Sequence, residues 1–323
     1  MKNKSFPKKI LTSDLLIGVT SSSFSKSDFL RAELKNFFPN VIFNELGRPL
    51  CELEIVDLLK NCDASIVGLE CINDRILVQT PKLKIICKYG VGLDNIDQGL
   101  LKRRNIFLGW SGGVNRLSVA EVTLCFMLGL SRNIFASGFK LKNAEWKKNG
   151  GCQLTGKTVG IIGCGHIGSE VIRLLKPFQC KLLVHDIIDK SKFCKDFNAT
   201  ETNLKDLITC SDLISLHVPL TTLTQKMVDA SFLSQMKQSA YLINTSRGGA
   251  LDQGALKNTL MKNEIAGAAL DVFTEEPPSD KEFLSLPNLM VTPHIAGNAK
   301  ESIEAMGKAA INHLVSFFMN SKA

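Results

Sequence analysis

Four polar residues near the ends of predicted strands could take part in acid–base chemistry. Arg247 follows one strand and His294 follows the last, while Asp271 and Glu276 flank the end of the strand between them. Ligands of open α/β sheets bind outside the carboxyl ends of strands, so these side chains are expected to converge. An imidazole can take a hydroxyl proton, a carboxylate can fix its tautomer, and a guanidinium can grip a carboxylate. The combination suits removal of a proton and a hydride from a 2-hydroxy acid.

Each of these residues also has a structural interpretation. Arg247 could cap a turn, His294 could be a buried imidazole after a proline, and Glu276 could be a solvated loop acid. All three occur downstream of a pattern that predicts a nucleotide site. Their combination therefore favours the catalytic interpretation.

That nucleotide site is predicted by residues 158–186. A strand runs into Gly163-x-Gly165-x-x-Gly168, an amphipathic helix follows, and a second strand ends at Asp186. Gly163 permits a tight turn, Gly165 lets the backbone approach a pyrophosphate, and Gly168 lets helix and strand pack closely. The start of the helix would hold the phosphates. This order of parts predicts a nicotinamide dinucleotide site, against the alternative of a glycine-rich turn in an ordinary βαβ unit.

The residue at the end of the second strand predicts the form of the dinucleotide. The Asp186 carboxylate can accept hydrogen bonds from the ribose hydroxyls of NAD and would repel the additional phosphate of NADP. NAD is therefore the expected cofactor, although Lys190 and Lys192 lie close by and weaken the preference.

A second glycine-bearing segment, Gly90-Val91-Gly92, follows a predicted strand at 83–88. Its backbone N–H groups could hold an anion such as a carboxylate. The segment could equally be a plain strand-to-helix turn with an aspartate cap, and the spacing alone leaves both interpretations open.

The composition is typical of a soluble, globular protein of about two domains, with 323 residues, 45% hydrophobic and 22% charged. No apolar run is long enough to span a bilayer, and Asp14 follows the basic stretch Met1–Ile10 before a signal peptide could form.

The net charge of +8 is spread along the chain, which favours a basic surface that attracts small anions over nucleic-acid binding. Ten cysteines without a C-x-x-C pair indicate buried thiols in a reducing cytoplasm, with no metal site.

Two runs of alternating strands and helices predict an α/β fold with parallel, helix-covered sheets. The second run is expected to form a six-stranded doubly wound sheet. A final amphipathic helix is expected over 300–318. The predicted strands span 15–20, 41–45, 65–69, 83–88, 106–110, 158–162, 181–184, 213–217, 240–244, 267–272 and 289–292.

The apolar segment from Ser118 to about Phe139 is predicted to be one long helix. Ser118 and Glu121 form a capping-box pattern at its start. A helix this apolar is expected to be buried at an interdomain or subunit interface.

In combination these motifs resemble the D-isomer-specific 2-hydroxyacid dehydrogenase family, nearest its D-3-phosphoglycerate dehydrogenase branch. The resemblance covers roughly residues 14 to 318 and rests on segments 89–97, 115–130, 160–168, 214–219, 242–252, 268–277 and 291–297. It implies two Rossmann-like doubly wound domains, with an NAD-binding domain at 111–297 inserted into a substrate-binding domain formed by 1–110 and 298–323. It also implies an NAD-dependent oxidoreductase, a homodimer formed through the long helix and, for the phosphoglycerate branch, a place in serine biosynthesis.

The resemblance implies a role for each site residue. Arg247 would bind the substrate carboxylate and polarise the C2 oxygen, and His294 would be the acid/base with Glu276 as its partner. Asp271 would orient the nicotinamide carboxamide, and the amides of Gly90-Val91-Gly92 would hold the substrate carboxylate. The remaining residues are expected to line the cofactor: Val91, Gly163, Gly165, His166, Ile167, Gly168, Asp186, Val218, Pro219, Thr245, Ser246 and Gly297.

Two departures from the phosphoglycerate pattern bear on the substrate. Residues 66–71 replace a stretch in which many phosphoglycerate enzymes carry an arginine for the phosphate, and Arg75 lies at a different place. The chain also stops soon after the final helix, so serine feedback through a C-terminal regulatory domain is not expected. Hydroxypyruvate, glyoxylate and phosphohydroxypyruvate stay open as substrates, with phosphohydroxypyruvate preferred through overall resemblance.

Two other functions are compatible with part of the pattern. An NAD(H)-sensing, corepressor-like protein would need the dinucleotide site but not the complete set of Arg247, Glu276 and His294, which argues against it. Formate enzymes of this fold use a glutamine where Glu276 stands, whereas phosphite stays open as a substrate.

Overall fold

The computed structural model describes residues 14–320, with side chains up to Met319. The chain divides into two compact units, one formed by residues up to Asn115 together with those from Lys300 onward, the other by Arg116–Ala299. Each unit contains one helix-covered sheet, which confirms the predicted α/β class. The basic stretch Met1–Ile10 lies outside the described residues.

Every strand pairing within the described part of the chain is parallel. The strands of the first unit are β1 Leu16–Val19, β2 Asn40–Phe43, β3 Ala64–Val67, β4 Ile85–Lys88 and β5 Phe107–Gly109. Those of the second unit are β6 Thr158–Ile162, β7 Lys181–His185, β8 Ala199–Glu201, β9 Leu213–Leu216, β10 Tyr241–Asn244, β11 Gly267–Leu270 and β12 Leu289–Val291.

The helices that connect and cover the strands vary from single turns to six turns. In the first unit they are α1 Ser22–Ser25, α2 Asp28–Phe37, α3 Glu52–Leu59, α4 Asp74–Val78, α5 Gln98–Arg103 and the final helix, α14 Lys300–Asn320. In the second unit they are α6 Arg116–Ser131, α7 Ile134–Lys142, α8 His166–Leu175, α9 Ser191–Asp196, α10 Leu204–Cys210, α11 Ala230–Gln235, α12 Gln253–Met261 and α13 Lys281–Leu284, with short 3-10 turns at Lys176–Phe178 and Gly248–Ala250.

Each sheet has one place where the strand order reverses. The first sheet runs β2-β1-β3-β4-β5 and reverses between β1 and β3. The second runs β12-β11-β10-β9-β6-β7-β8 and reverses between β9 and β6. At such a point the connections leave in opposite directions, so a crevice opens outside the carboxyl ends of the two strands. These crevices are where the fold favours ligand binding in each unit.

The cores lie on both faces of each sheet, as expected when helices cover a parallel sheet on both sides. Strands β3, β4, β9 and β11 are buried along their whole length. In the first unit α2 and α14 pack on one face around Leu30 and Leu314, while α3, α4 and α5 pack on the other around Leu59 and Ile76. This burial fixes the strand ends from which the site loops depart.

The prediction of a six-stranded second sheet is wrong, because the structure has seven strands there. The additional strand, β8, is three residues long and lies at the sheet edge beside β7. Two of its residues are exposed. A short edge strand with little apolar content lacks the hydrophobic run that marks the other strands.

The prediction of one long helix from Ser118 to Phe139 is also wrong. Helices α6 and α7 are separate and meet at an angle of 67°. The break falls at Asn133, whose φ of +52° is in the left-handed region that asparagine tolerates. Apolar residues continue across the break, so their periodicity did not reveal it.

No single described helix is long and apolar enough to cross a bilayer, and only this bent pair meets that test, by length and composition.

Ser118 is not the N-cap that the capping-box pattern predicted. Helix α6 begins two residues earlier, at Arg116, and Ser118 is buried inside its first turn. Its hydroxyl instead donates to the Ala296 carbonyl at 2.6 Å and lies 3.4 Å from the Ala299 nitrogen. The side chain thus ties α6 to the loop that follows β12.

Candidate active site

His294 and Glu276 form the central pair of the candidate site in the second unit. His294 Nδ1 lies 2.7 Å from Glu276 Oε2, and Glu276 Oε1 accepts the Phe273 N–H at 3.0 Å. The carboxylate is therefore oriented by the backbone that leaves β11. The side chains are 47% and 37% exposed, so a ligand can reach them. With Nδ1 engaged by the carboxylate, Nε2 is the nitrogen left to exchange a proton.

The backbone that carries His294 is organised by Asp271. The Asp271 carboxylate, whose residue is 1% exposed, accepts the Thr292 hydroxyl at 2.6 Å and the N–H groups of Ile295 and Ala296 at 2.8 and 2.9 Å. Its carbonyl accepts the His294 N–H at 2.8 Å, and His294 has a φ of +53°. Asp271 thus closes the turn that presents the imidazole. Its predicted contact with the nicotinamide carboxamide stays a prediction.

Arg247 is brought near the Glu276 loop by its glycine neighbour. A Cβ atom on Gly248 would lie 2.0 Å from the carbonyl carbon and oxygen of Phe273, so the loops after β10 and β11 touch backbone to backbone. Asn244 holds the start of the β10 loop, because its side chain donates to the Arg247 carbonyl at 2.9 Å. The backbone of Arg247 and Gly248 therefore lies beside the segment that leads to Glu276, and Arg247 Nη1 donates to the Ser246 carbonyl at 2.8 Å.

The glycine motif has a geometry that fits a pyrophosphate. Gly163 has a φ of +90°, and a Cβ there would lie 2.6 Å from the His217 carbonyl oxygen across the β6–β9 crevice. A Cβ on Gly168 would lie 2.1 Å from the Gly163 carbonyl oxygen. Gly165, by contrast, has open space around its Cβ position, directly before α8. The open side, together with the N–H groups and dipole of the helix start, fits a dinucleotide phosphate.

Asp186 lies at the end of β7, where the ribose is expected. Its oxygens accept the Cys164 N–H at 2.7 Å and the Ile188 N–H at 3.0 Å, so the carboxylate is held against the glycine loop. Lys190 Nζ is 3.9 Å from the same carboxylate. Two backbone bonds leave acceptor capacity on a carboxylate, which has about four lone-pair positions. The arrangement fits a ribose diol.

The other predicted cofactor residues fall into two groups. His166 and Pro219 are exposed, and Ile167, Val218 and Gly297 are partly exposed, near the strand ends or at the start of α8. Thr245 and Ser246 are both 6% exposed. Thr245 Oγ1 lies 2.9 Å from Thr123 Oγ1 of α6, and Ser246 Oγ donates to the Asn244 side chain at 2.8 Å. These two hydroxyls therefore brace the β10 loop from within.

The Gly90-Val91-Gly92 loop belongs to the first unit and follows β4. Gly90 has a φ of +134°, which favours glycine, and Trp110 Nε1 donates to the Val91 carbonyl at 2.9 Å. Helix α5 begins only at Gln98, where Asp97 caps the Leu100 N–H at 2.9 Å. The aspartate-capped turn is therefore a separate feature further along the chain. The backbone of the Gly90-Val91-Gly92 loop is held by the Trp110 side chain.

His217 is excluded from a proton-transfer role by its surroundings. The residue keeps some exposed surface, but its Nδ1 is covered without a partner in the described residues, and Nε2 lies 2.9 Å from Ser215 Oγ. Burial lowers the pKa of His217 to about 3, so its ring is neutral at physiological pH.

Within residues 14–320 no three His, Cys, Asp or Glu side chains are grouped as metal ligands.

Three residues support the site in ways that the sequence did not reveal. Thr123 and Asn244 brace the β10 loop, and Ser118 ties α6 to the loop behind His294. Thr123 and Ser118 lie more than 100 residues from their partners, so no local pattern reveals them. The Asn-x-x-Arg spacing around Asn244 is the one signal that could have indicated its role.

A dinucleotide crevice with a histidine–carboxylate pair defines the class of protein: a nicotinamide-dependent oxidoreductase. The family model described as D-isomer specific 2-hydroxyacid dehydrogenase, NAD binding domain, matches residues 124–296. This chain belongs to that family, and the matched region is its NAD-binding domain. It is an oxidoreductase that acts on the CH–OH group of its donor, so the interpretation as a non-catalytic sensor is set aside.

Similar proteins illustrate the range of activities in the family. A glyoxylate reductase of Korarchaeum cryptofilum is 35% identical over 81% of this chain and 82% of its own length. A D-3-phosphoglycerate dehydrogenase of Methanocaldococcus jannaschii is 34% identical over 81% of this chain and 51% of its own length. The crystal structure of a D-lactate dehydrogenase from Aquifex aeolicus, complexed with NAD and lactic acid, superposes with a TM-score of 0.82 at 26% identity and covers 94% of this chain and 96% of that chain.

Proposed function

We propose that this protein reduces small 2-keto acids such as hydroxypyruvate and glyoxylate to their 2-hydroxy acids, with NADH as the reductant. The observation that carries the proposal is the 2.7 Å contact between His294 Nδ1 and Glu276, in a loop system that also carries Arg247. An imidazole with one nitrogen backed by a carboxylate and the other left to exchange a proton suits an acid/base role, which cofactor binding alone would not require.

The roles of the three residues follow from their chemistry. NADH, when bound, supplies the hydride that reaches C2 of the keto acid. His294 donates the proton that completes the hydroxyl group, and Glu276 stabilises the imidazolium from which it comes. Arg247 offers a planar pair of donors to the substrate carboxylate and to the C2 oxygen, where negative charge develops. Oxidation of the hydroxy acid reverses each transfer.

The family resemblance implies that each compact unit binds a different ligand. We assign substrate binding to the unit that contains Gly90-Val91-Gly92 and cofactor binding to the unit that contains the glycine motif. The predicted boundaries at residues 110/111 and 297/298 lie within five residues of the division between the units, which supports this assignment. The amides of the Gly90–Gly92 loop would receive the substrate carboxylate.

The preference for NAD over NADP is proposed from Asp186. Its carboxylate is fixed by backbone bonds at the position expected for the ribose. A 2′-phosphate at this position would be repelled by a carboxylate whose orientation is fixed. Lys190, 3.9 Å from the carboxylate, weakens but does not cancel this repulsion.

The substrate proposal rests on the loop after β3. Residues 68–71 contain no arginine or lysine, and Leu69 is 83% exposed at this carboxyl edge. A second candidate, D-3-phosphoglycerate dehydrogenase with a role in serine biosynthesis, is favoured by the similarity to the M. jannaschii enzyme. That candidate would need a positively charged side chain outside this loop to bind the phosphate.

The test is the rate of NADH consumption with hydroxypyruvate, glyoxylate and phosphohydroxypyruvate at equal concentrations. We expect the highest kcat/KM with one of the unphosphorylated acids. A kcat/KM at least tenfold higher for phosphohydroxypyruvate would establish the second candidate instead. No consumption with any 2-keto acid would contradict the proposed function.

We also propose a cytoplasmic homodimer that pairs through α6 and α7. Helix α7 buries none of its residues, and its exposed side chains include Ile134, Phe135 and Phe139. An apolar helix face of this kind marks an interaction surface. The family resemblance supports a second copy as its partner, and the ten free cysteines support the cytoplasm.

A further inference from the structure

The first unit contains a buried lysine that the proposed mechanism does not use. Lys88 ends β4, directly before Tyr89 and Gly90, and is 5% exposed. Lysine is almost never so buried unless it is paired, because removal of its charge from water is costly. A lysine kept at this position therefore needs an explanation.

Lys88 joins two loops at the carboxyl edge of the first sheet. Its amine donates to the Gly68 carbonyl in the loop after β3 and to the Asn95 side-chain oxygen at 2.6 Å in the loop after β4. The Asn95 amide donates in turn to the carbonyls of Gly68 and Glu70 at 3.0 and 2.6 Å. The amine thus closes a ring of polar bonds between the segments 68–70 and 88–95.

A buried carboxylate completes this ring on its other side. Glu70 is 6% exposed, and its Oε2 accepts the Gly68 N–H at 2.8 Å and the Thr20 hydroxyl at 3.0 Å. Thr20 follows β1, and Glu70 follows β3, which are the two strands between which the order of the first sheet reverses. The network of Thr20, Glu70, Lys88 and Asn95 therefore stands at the crevice where this sheet favours a ligand.

The lysine side chain also runs alongside the proposed carboxylate loop. A Cβ on Gly90 would lie 3.3 Å from Lys88 Cε and 3.9 Å from Lys88 Nζ. The amine is therefore close to the loop itself, and at the effective dielectric constants found inside proteins a positive charge there attracts an anion bound by the loop more strongly than it would in water. The same side chain can therefore hold the loop and attract what the loop binds.

We propose that Lys88 is a positioning residue for the substrate: it locks the Gly90-Val91-Gly92 loop in its anion-binding conformation and places a positive charge against it. The inference rests on the proposed function in one respect, which is that this loop receives the carboxylate of a 2-keto acid. It adds a residue that touches neither the substrate nor the cofactor and yet sets the affinity for the substrate.

The experiment compares Lys88→Met with the wild type by steady-state kinetics on the preferred 2-keto acid. KM should rise roughly tenfold or more, while kcat falls less than about threefold and the Kd of NADH changes less than about twofold. A purely structural role would instead lower the melting temperature and reduce kcat together with NADH affinity. Lys84→Met is the matched control, since it removes the same charge from an exposed lysine paired with Asp63 at the other end of the sheet.

Asn95→Ala is the second variant, in case Lys88→Met does not fold. It opens the ring but keeps the lysine charge, so KM should rise by a smaller factor than with Lys88→Met. The inference is overturned if folded Lys88→Met, or Asn95→Ala where only that variant folds, has the KM of the wild type.

Calorimetric binding of oxamate, an unreactive 2-keto acid analogue, to the NADH-loaded protein separates this inference from the proposed function. If the wild type reduces no 2-keto acid but Lys88→Met weakens oxamate binding about tenfold, the function is wrong and the role of Lys88 stands. If the wild type is active and neither KM nor oxamate affinity changes in Lys88→Met, the function stands and the inference is wrong. If the wild type neither turns over nor binds oxamate, both are wrong.

Discussion

At the scale of single residues, the partners of a side chain define what that side chain can do. His294 is held by Glu276 at one ring nitrogen, and Glu276 is held by a backbone N–H. His217 is covered at one ring nitrogen and paired with a hydroxyl at the other, which removes it from proton transfer. The contrast between two histidines near strand ends shows why residue type alone does not assign a role.

Glu276→Gln should reduce kcat by roughly tenfold or more, because a neutral amide cannot stabilise a charged imidazole as a carboxylate does. NADH affinity should change little. Glu275→Gln, a substitution at the exposed neighbouring residue, is the matched control and should keep wild-type kinetics. Equal rates for the wild type and Glu276→Gln would remove the carboxylate from the mechanism.

His217 should make the protein sensitive to acid. Its pKa is about 3 in the folded state against about 6.5 in the unfolded chain, so between these values the unfolded chain binds the additional proton. The free energy of unfolding should therefore fall as pH decreases, by up to about 1.4 kcal/mol per pH unit from this group alone. This contribution is fully present above about pH 6.5.

Urea unfolding at about pH 7 and about pH 5 measures this effect. The decrease should be smaller in His217→Asn than in the wild type, whereas His166→Asn, at an exposed histidine, should match the wild type. An identical pH dependence in His217→Asn and the wild type would show that folding does not lower the pKa of this ring.

At the scale of elements, the sequence predicted the regular parts of the site and missed its long-range supports. The predicted strand at 158–162 coincides with β6, and the three glycines occupy the turn, the open position and the close contact that their spacing predicts. Strand β8 was missed because it has no hydrophobic run, and the break at Asn133 was missed because the apolar residues continue across it. The Ser118 bond to Ala296 joins residues 178 positions apart, which only the fold brings together.

The glycine motif offers a prediction for the β6–α8 element. Gly165→Ala should leave the melting temperature unchanged, since nothing lies within 4 Å of the Cβ position, yet weaken NADH binding about tenfold or more by occupying the phosphate side. Gly168→Ala should destabilise the protein by about 1–3 kcal/mol, because its Cβ would lie 2.1 Å from a carbonyl oxygen.

Thermal unfolding and NADH titration of both variants check these two expectations. Gly254→Ala, with only the Asp252 side chain 3.5 Å from its Cβ position, controls for the substitution itself. The assignment of the phosphate site would fail if Gly165→Ala bound NADH with wild-type affinity.

At the scale of the whole molecule, two α/β units with separate cores carry the proposed functions. Each sheet has its own reversal of strand order, and the residues singled out lie at those places: the glycine motif in one unit, the Lys88 network in the other. Fold class and family followed from the sequence because motifs and periodicity are local properties. The identity of the substrate depends on the loops between strands, which local patterns constrain least.

The exposed apolar face of α7 gives a prediction for assembly. Phe139, 70% exposed, should lie in the interface of a homodimer, so Phe139→Asp should shift the protein toward the monomer in analytical ultracentrifugation. Leu53→Asp is the control, because Leu53 is 75% exposed in the first unit and lies outside α6 and α7. A wild-type monomer, or a dimer that Phe139→Asp leaves intact, would contradict this interface.

The proposed function depends above all on proton transfer by His294 while the second unit holds NADH. The most direct measurement is the turnover of His294→Ala with the preferred 2-keto acid, followed by NADH absorbance, together with its NADH dissociation constant. We expect a kcat lower by about 100-fold to 10,000-fold with an NADH affinity within a few-fold of the wild type. Full turnover in His294→Ala would contradict it.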